Sequence, residues 1–259
     1  DRNPHKGVQL TEAGQRMLLA GHVVFEGLER AMQDVHALKR STEGQVAFGS
    51  RSYFSDHLLP PLFMTFKQQN PAFELTVDRG KRDNLLHALR HRRLDMVVVD
   101  GAVEEPQLSG AQLARMDMVL IGTPDHPLST GEPAPFDALA LERLIPRSQA
   151  FAVLGEVERK ASNIGFSLQT GWEVGSMEAQ IDAVRNGLGV ALVPYPAVKR
   201  HLDAGTLALL RIEGFPMTLG WFLAWRTLDV SIAAEAFIQH LLNKRACLDA
   251  LCTAPCMNA

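Results

Sequence analysis

Cysteine is absent from the body of this chain of 259 residues. The three cysteines, Cys247, Cys252 and Cys256, all lie within the last 13 residues, and their spacing matches no common zinc pattern. An odd number of cysteines confined to the end of the chain argues against a disulfide framework. It favours a reducing, cytoplasmic location.

Long apolar runs and an excess of basic charge are also lacking. No stretch approaches the roughly 18–20 uninterrupted apolar residues of a membrane span. The opening DRNPHKGVQL has none of the apolar core of a signal peptide. A formal net charge of -3 leaves no basic footprint for nucleic acid over these residues. We therefore expect no membrane partner and no direct DNA binding by this part of the protein.

The residue patterns of common enzymes and cofactor sites are missing as well. The sequence has no nucleophile elbow, phosphate-binding loop or dinucleotide fingerprint, and GLGVALVP lies at a helix-to-strand junction, the reverse of a phosphate loop. His87 and His91 are four residues apart on a predicted helix, but they stand among arginines, so a solvated basic face is favoured over a metal site. Asp125 and His126 lie in a proline-bounded loop and are interpreted as turn residues. We expect no catalytic residue, no metal and no cofactor.

What the chain does have, near its start, is a long stretch with helical periodicity. Thr11 is placed as an N-cap, and no proline occurs between Thr11 and about residue 40. Apolar or small residues recur there at alternating steps of three and four: Gly14, Met17, Gly21, Val24, Leu28, Ala31, Val35 and Leu38. This heptad-like seam predicts a dimerisation helix over residues 11–42. The alternative is an ordinary amphipathic helix lying on its own domain, but a length of about 30 residues favours dimerisation.

Strands and helices alternate after residue 43. QVAFGS, AFELTV and the continuous apolar run LDMVVVD are predicted strands separated by helices, a pattern typical of a parallel α/β sheet covered on both faces. Prolines clustered between residues 124 and 136 indicate a crossing into a second α/β unit. The last amphipathic helix, VSIAAEAFIQHLLNKR, is expected to return to the first unit. We therefore predict a first unit of residues 43–123 plus 225–245, a second of residues 124–224, and a tail of residues 246–259.

Small polar or charged residues stand where predicted strands end or helices begin. Ligands of parallel α/β sheets bind outside the carboxyl ends of the strands, near helix N-termini, so these residues predict a binding cleft if the two units face one another. The candidate ligand-binding residues are Ser50, Arg51, Ser52, Tyr53, Asp100, Gly101, Thr123 and Ser176. For each serine alone, a role as a helix cap or turn residue is at least an equal alternative.

Several motifs in a fixed order resemble those of LysR-type transcriptional regulators. Arg2, Val8 and LTEAG (residues 10–14) are similar to the wing and linker-helix entrance of that family. Further matches follow in order: Gly49, Leu59-Pro60, Phe66, Asn70-Pro71, RRLDMVVVDG, PDHPL, AVRNGLGVALVPYPAV and LDAGTLALL. Arg93 stands where the family usually has a glycine before the Leu-Asp pair. The resemblance covers nearly all of residues 2–245.

The resemblance implies an N-terminal winged helix-turn-helix, a dimerising linker helix and an effector-binding region. That region would have two Rossmann-like subdomains of periplasmic-binding-protein type, subdomain I being the first α/β unit and subdomain II the second. Residues 1–10 would then be a remnant of the wing, and the helix that reads promoter DNA would precede residue 1. The expected partners are a small-molecule effector, promoter DNA through the missing N-terminal domain, and further copies of the chain in a homodimer or homotetramer.

The function expected from this resemblance is that of a cytoplasmic transcription regulator. Arg51 at the predicted cleft favours a carboxylate or phosphate effector, whose binding would reorient the subdomains and the DNA-binding domains. Two alternatives share the bilobal fold. A free solute-binding protein should carry a secretion signal and no long helix at its front. An enzyme would need a convergent acid, base or nucleophile in the cleft.

Overall fold

A computed structural model of the chain describes residues 2–3, 7–8, 10–42, 44–51, 53–147 and 152–254. Its strands are β1 (Arg2–Asn3), β2 (Gly7–Val8), β3 (Gln45–Ser50), β4 (Glu74–Arg79), β5 (Met96–Asp100), β6 (Leu108–Gly122), β7 (Arg143–Leu144), β8 (Gln169–Thr170), β9 (Ala191–Pro194), β10 (Ala208–Leu209) and β11 (Met217–Arg226). Its α-helices are α1 (Glu12–Thr42), α2 (Leu59–Gln69), α3 (Arg82–Arg90), α4 (Ala152–Asn163), α5 (Met177–Arg185), α6 (Tyr195–Asp203), α7 (Ile232–Asn243) and α8 (Arg245–Cys252). A π-helical turn, Phe54–Leu58, leads into α2. Within these ranges, no helix has both the length and the apolarity that a membrane span requires.

The long first helix begins where the sequence predicts. Oγ1 of Thr11 accepts a hydrogen bond from the amide of Gly14 at 3.1 Å, which confirms the predicted N-cap. A short antiparallel hairpin formed by β1 and β2 precedes the helix. α1 then runs for 31 residues and meets the rest of the fold where β3 begins. Most of its described side chains are therefore left exposed.

The first α/β unit, subdomain I, is built on the strand order β4, β3, β5, β11, β6. β3, β4 and β5 run parallel, whereas β11 is antiparallel to both of its neighbours. All of β5 is buried. Met96 and Val98 face a core shared with α2 and α7, and Val97 and Val99 face a second core shared with α3. The prediction of a strand covered on both faces is confirmed.

The second unit, subdomain II, has a separate set of strands around the end of β6. β9 and β10 pair antiparallel with β6, and β7 pairs in parallel with β8. A single bridge between Leu144 and Val190 joins β7 to the segment that becomes β9. Helices α4, α5 and α6 cover this sheet with buried side chains such as Val157, Ile181 and Val198. The two α/β subdomains predicted from the sequence are thus present.

The two subdomains are joined by the long strands β6 and β11. β6 pairs with β11 from Leu108 to Met118, and from Met118 onward it pairs with β9. The chain therefore crosses into subdomain II at about Met118 and returns at about Met217. Residues 217–224, which the sequence assigned to the second unit, lie in the sheet of the first. The proline-rich loop after residue 123 follows the far end of β6 rather than marking the crossing.

The segment predicted as a tail is helical as far as Cys252. α8 packs against β6 and buries Leu248 and Cys252, which are four residues apart and therefore share one face of the helix. The end of the described chain is thus part of the packed structure, and it covers the region where the two subdomains join.

Candidate ligand-binding cleft

The carboxyl ends of parallel strands from both subdomains meet beside the crossover. Ser50 and Asp100 end β3 and β5 in subdomain I, while Arg147, just beyond β7 in subdomain II, forms a bridge with Val174. Between the subdomains lies a cavity of about 190 Å³, which we call the cleft. It is lined by Tyr53, Asp56, His57, Arg79, Arg147, Gly175, Ser176, Met177 and Glu178.

On the side of subdomain I, Arg51 and Asp100 form a buried ion pair. Nε of Arg51 lies 3.9 Å from Oδ1 of Asp100, and both side chains are more than nine-tenths buried. The carbonyl of Arg51 accepts hydrogen bonds from the amides of Phe54 and Ser55 at 3.1 and 3.2 Å, so the chain turns into a helix directly after β3. Each charge compensates the other. Removing one partner would leave an unpaired buried charge, which costs about 3–5 kcal/mol.

On the side of subdomain II, Arg147 is a second buried guanidinium. Its side chain lines the cleft although the residue is only 9% exposed. Burial is the main cause that lowers the pKa of Arg147. The positive charge of Arg51 lowers it further, and Glu178 acts in the opposite direction. Arg51 and Arg147 thus contribute one buried guanidinium group from each subdomain.

The N-terminus of α5 adds further positive potential to the cleft. Ser176 caps this helix, its Oγ accepting a hydrogen bond from the amide of Ala179 at 3.1 Å. Ser176 and Met177, the first residue of the helix, both line the cavity. A helix N-terminus carries about half a positive charge. Together with the guanidinium groups of Arg51 and Arg147, this helix end is suited to binding an anion.

A contact between His57 and Glu178 joins the two subdomains at the cleft. Nε2 of His57 in subdomain I is 3.8 Å from Oε1 of Glu178 in subdomain II, and both side chains are well exposed. Exposed pairs of this kind contribute about 0–1 kcal/mol. This contact therefore offers little resistance to a change in the opening of the cleft.

Several of the residues proposed from the sequence come together here. Tyr53 and Ser176 line the cavity, and Arg51 and Asp100 pair close to it. Ser50, adjacent to Arg51 in the chain, is fully buried, and its hydroxyl donates to the carbonyl of Arg51 at 3.3 Å. Ser50 is therefore closed to solvent in this structure.

Two further candidate ligand-binding residues are Gly101 and Ser52. Gly101 has a φ of 78° and forms the turn after β5, where its carbonyl accepts a hydrogen bond from Arg82 at 2.9 Å. That turn explains the glycine, because few other residues adopt positive φ readily. The prediction for Ser52 falls outside the described residues.

Thr123 lies away from the cleft. It follows the end of β6, which is antiparallel to β9 and pairs Met118 with Pro194 and Ile121 with Ala191. The end of β6 therefore points to the opposite edge of the sheet. There the hydroxyl of Thr123 hydrogen-bonds the side chain of Asp125, which is the main cause of the lowered pKa of that carboxyl. The strand-end rule applies to parallel strands, and the sequence does not show that β6 enters subdomain II antiparallel.

The cleft also contains charged residues that the sequence analysis missed: Asp56, His57, Arg79, Arg147 and Glu178. A signal for Arg147 was available, because LERLIPRS is strand-like and Arg147 stands at its end. His57 lies in the π-helical turn before α2 and Glu178 in the first turn of α5, and these residues come together only because the two subdomains face each other.

The predicted dimerisation seam on α1 is largely exposed. The exposed fraction is 78% for Met17, 68% for Val24, 57% for Leu28 and 66% for Val35. Apart from its chain neighbours and the backbone of its own helix, no described atom lies within 4 Å of where a Cβ of Gly21 would be. Leu18, Phe25 and Met32 are also exposed and extend this surface. We call these residues the apolar band: Met17, Leu18, Gly21, Val24, Phe25, Leu28, Met32 and Val35. The side chains of Ala31 and Leu38 lie outside the described residues.

No group of three or more His, Cys, Asp or Glu side chains within the described ranges is arranged to hold a metal ion. The rings of His87 and His91 stack with 4.0 Å between centroids, and Arg93 lies 3.1 Å from Nδ1 of His87, on the exposed surface. Nδ1 of His126 accepts a hydrogen bond from the amide of Leu128 at 3.2 Å, as a turn residue would.

Comparisons with known proteins agree with this architecture. The family described as LysR substrate binding domain matches residues 39–246. The RuBisCO operon transcriptional regulator of Allochromatium vinosum is 27% identical over 242 residues, covering 93% of this chain and 80% of that protein. The transcriptional activator CmpR of Synechocystis is 26% identical over 238 residues, covering 90% of this chain and 77% of CmpR. Both relatives are transcriptional regulators, which supports the expectation that this chain is not an enzyme.

A solved structure shows the same fold. The regulatory domain of Synechocystis CcmR, in complex with 2-PG, superposes with a TM-score of 0.70 at 22% identity, covering 78% of this chain and 97% of that one. The resemblance to LysR-type regulators and the periplasmic-binding-protein-like fold are thereby confirmed. Because the family match spans well over half of its length, the chain belongs to the LysR family of transcriptional regulators and carries the substrate-binding domain of that family.

Proposed function

We propose that this chain senses a small anionic metabolite in the cleft and passes the signal to DNA-binding domains in a dimer. The observation that carries the proposal is the pair of buried guanidinium groups, Arg51 from subdomain I and Arg147 from subdomain II, beside the N-terminus of α5. Asp100 pairs with Arg51, and the N-terminus of α5 adds positive potential on the side of Arg147.

The chemical class follows from these groups. Guanidinium groups bind carboxylate and phosphate oxygens in a bidentate manner, and a cavity of about 190 Å³ suits a molecule of a few carbon atoms. The regulatory domain of CcmR, which shares this fold, was solved in complex with a ligand, 2-PG. We infer a small carboxylate or phosphate ester, bound by Arg147 and Ser176 on one side and near Arg51 and Tyr53 on the other.

Such a ligand would change the relative orientation of the subdomains. An anion that contacts Arg147 of subdomain II and the Arg51 side of subdomain I at the same time links the two subdomains and favours the closed cleft. The resting contact between His57 and Glu178 is weak. The ligand's contacts with the two subdomains therefore determine the fraction of molecules in which the cleft is closed.

The apolar band of α1 would carry the change to a second copy of the chain. Its side chains are exposed along several turns of one helix face, as expected for a surface that a partner helix covers. The DNA-binding domain would be a winged helix-turn-helix N-terminal to α1, with the hairpin of β1 and β2 as its wing. Reorientation of paired subdomains would then reposition two such domains on a promoter.

A thermal-shift panel tests the anion proposal. Inorganic phosphate, 2-phosphoglycolate, acetate and neutral glycerol are each added to the full chain, and a bound ligand raises stability according to its concentration relative to Kd. We expect stabilisation by the acidic compounds and none by glycerol. Arg147→Met should abolish it, whereas Arg185→Met, which removes an exposed guanidinium from α5, should preserve it.

Two results would contradict the anion proposal. One is equal stabilisation by glycerol and by the acidic compounds. The other is an unchanged response in Arg147→Met, because that variant lacks the charge that subdomain II contributes to the cleft.

A further inference from the structure

Helix α8 lies over the strands that connect the two subdomains. The family match ends at residue 246, so almost all of α8 lies beyond it. The helix packs on β6 and also contacts α6 of subdomain II and α7 of subdomain I. One short element therefore touches both subdomains and the connection between them.

The first specific contact is at the edge of β6. On one side β6 pairs with β11, and on the other side β9 begins only at Met118. The amide of Arg115 donates to Oδ1 of Asp249 on α8 at 2.6 Å. The carboxylate of Asp249 thus accepts a hydrogen bond from a backbone amide of β6 at an edge where no neighbouring strand is available to accept it.

The second contact is centred on Asp117, two residues further along β6. This buried carboxylate accepts a hydrogen bond from the hydroxyl of Thr218 on β11 at 2.7 Å and another from the amide of Ala254 at 2.9 Å. Charge-assisted hydrogen bonds of this kind are stronger than neutral ones. Asp117 therefore ties both crossover strands to the segment that follows α8.

The buried side of α8 also reaches the core beneath the cleft. Cys252 on α8 is fully buried and belongs to the same apolar core as Tyr53. Burial, with a smaller contribution from Cys252, raises the pKa of Tyr53. Tyr53 itself lines the cavity. The buried face of α8 thus shares a core with Tyr53 of the cleft wall, and α8 and the segment after it bind the crossover strand β6 at two points.

We propose that α8 and residues 253–254 form a brace that restrains rotation of the two subdomains about the crossover at Met118 and Met217. A change in the opening of the cleft bends β6 and β11 near Arg115, Asp117 and Thr218, the residues whose groups the brace holds. Loosening the brace would therefore widen the range of cleft openings without altering either subdomain. This proposal concerns the ligand-free chain and does not depend on what binds in the cleft.

The test measures the distance between the subdomains. Spin labels are placed on exposed helix positions, Ser162→Cys in subdomain II and Ala236→Cys in subdomain I. Cys247 and Cys256 are replaced by serine. Double electron–electron resonance then gives the distance distribution of the full chain without ligand.

The decisive variant is Asp249→Ala, which removes the acceptor for the amide of Arg115. We expect its distance distribution to be clearly broader than that of the unsubstituted chain. Asp249→Asn keeps an acceptor oxygen and should restore the narrow distribution. Asp203→Ala removes an exposed carboxylate from α6, where it pairs with Lys199, and should have no effect.

The proposal is overturned if Asp249→Ala leaves the distribution unchanged while amide hydrogen exchange shows that Arg115 has lost its protection. A second measurement, on the unsubstituted chain, does not rely on any variant folding. We expect the amide of Ala254 to exchange as slowly as the amides of β6 near Met118. If it exchanges as fast as an unstructured chain end, the segment is not docked and the proposal fails.

Discussion

Replacing Val24 and Leu28 with alanine should weaken self-association of the chain without harming its fold. Both side chains belong to the apolar band, with exposed fractions of 68% and 57%, so neither supports the packing within one copy. Alanine has the highest helix propensity, and α1 should remain helical. The double variant therefore removes apolar surface and little else.

The magnitude follows from the exposed fractions. Burial of a methyl or methylene group stabilises by about 0.8 kcal/mol. Truncation to alanine removes two such groups from valine and three from leucine. Scaled by the exposed fraction of each residue, the loss of dimerisation free energy is roughly 1 kcal/mol at Val24 and 1.5 kcal/mol at Leu28. In a two-fold dimer each loss occurs twice, so dimerisation should weaken by about 5 kcal/mol, roughly 10³-fold or more in Kd.

Sedimentation equilibrium over a range of protein concentrations measures this Kd directly. The control is Arg16→Ala, which removes an exposed side chain paired with Glu12 near the start of the same helix, away from the apolar band. The reasoning is refuted if the double variant dimerises within tenfold of the unsubstituted chain, or if Arg16→Ala weakens dimerisation by the same amount.

Three further predictions concern stability and reactivity. Gly49→Ala should destabilise by about 1–3 kcal/mol in urea unfolding, because its Cβ would lie 2.5 Å from Cδ1 of Leu94; Gly155→Ala on α4, with open space around it, should not destabilise. His240 has its pKa lowered from 6.5, mainly by burial, so the unfolded chain binds its proton more readily and stability should fall as the pH drops below 6.5. Between pH 7.5 and pH 5.5, the free energy of unfolding measured in urea should fall less for His240→Gln than for the unsubstituted chain. An equal fall in the two proteins would contradict this reasoning. Burial, reinforced by two aspartates, raises the pKa of the Cys252 thiol to about 12; with the other two cysteines replaced by serine, the native chain should not react with a thiol reagent at pH 8 until it unfolds, and prompt reaction would show that α8 is not docked.

Local patterns were sufficient for much of the fold. The cap at Thr11 and the seam on α1 depend on spacing within one helix, and the burial of β5 on both faces follows from the continuous run MVVVD. The ends of parallel strands and the starts of the helices near them led to Arg51, Tyr53, Asp100 and Ser176; of these, Tyr53 and Ser176 line the cavity, and Arg51 pairs with Asp100. The same rule applied to the end of β7 would have identified Arg147.

The remainder depended on long-range pairing that no local pattern records. The exclusion of Thr123 from the cleft depends on the antiparallel pairing of β6 with β9, and the crossing at Met118 depends on where β6 changes partners. The role of Asp117 and Asp249 appears only when residues more than 130 positions apart are brought together. The sequence alone predicted the two α/β subdomains and the long amphipathic helix, because propensity and periodicity act over a few neighbouring residues, and the order of its motifs indicated the family by resemblance. The tertiary structure alone decided which charges share the cleft and what covers the crossover, because strand direction and the docking of helices depend on contacts between distant parts of the chain.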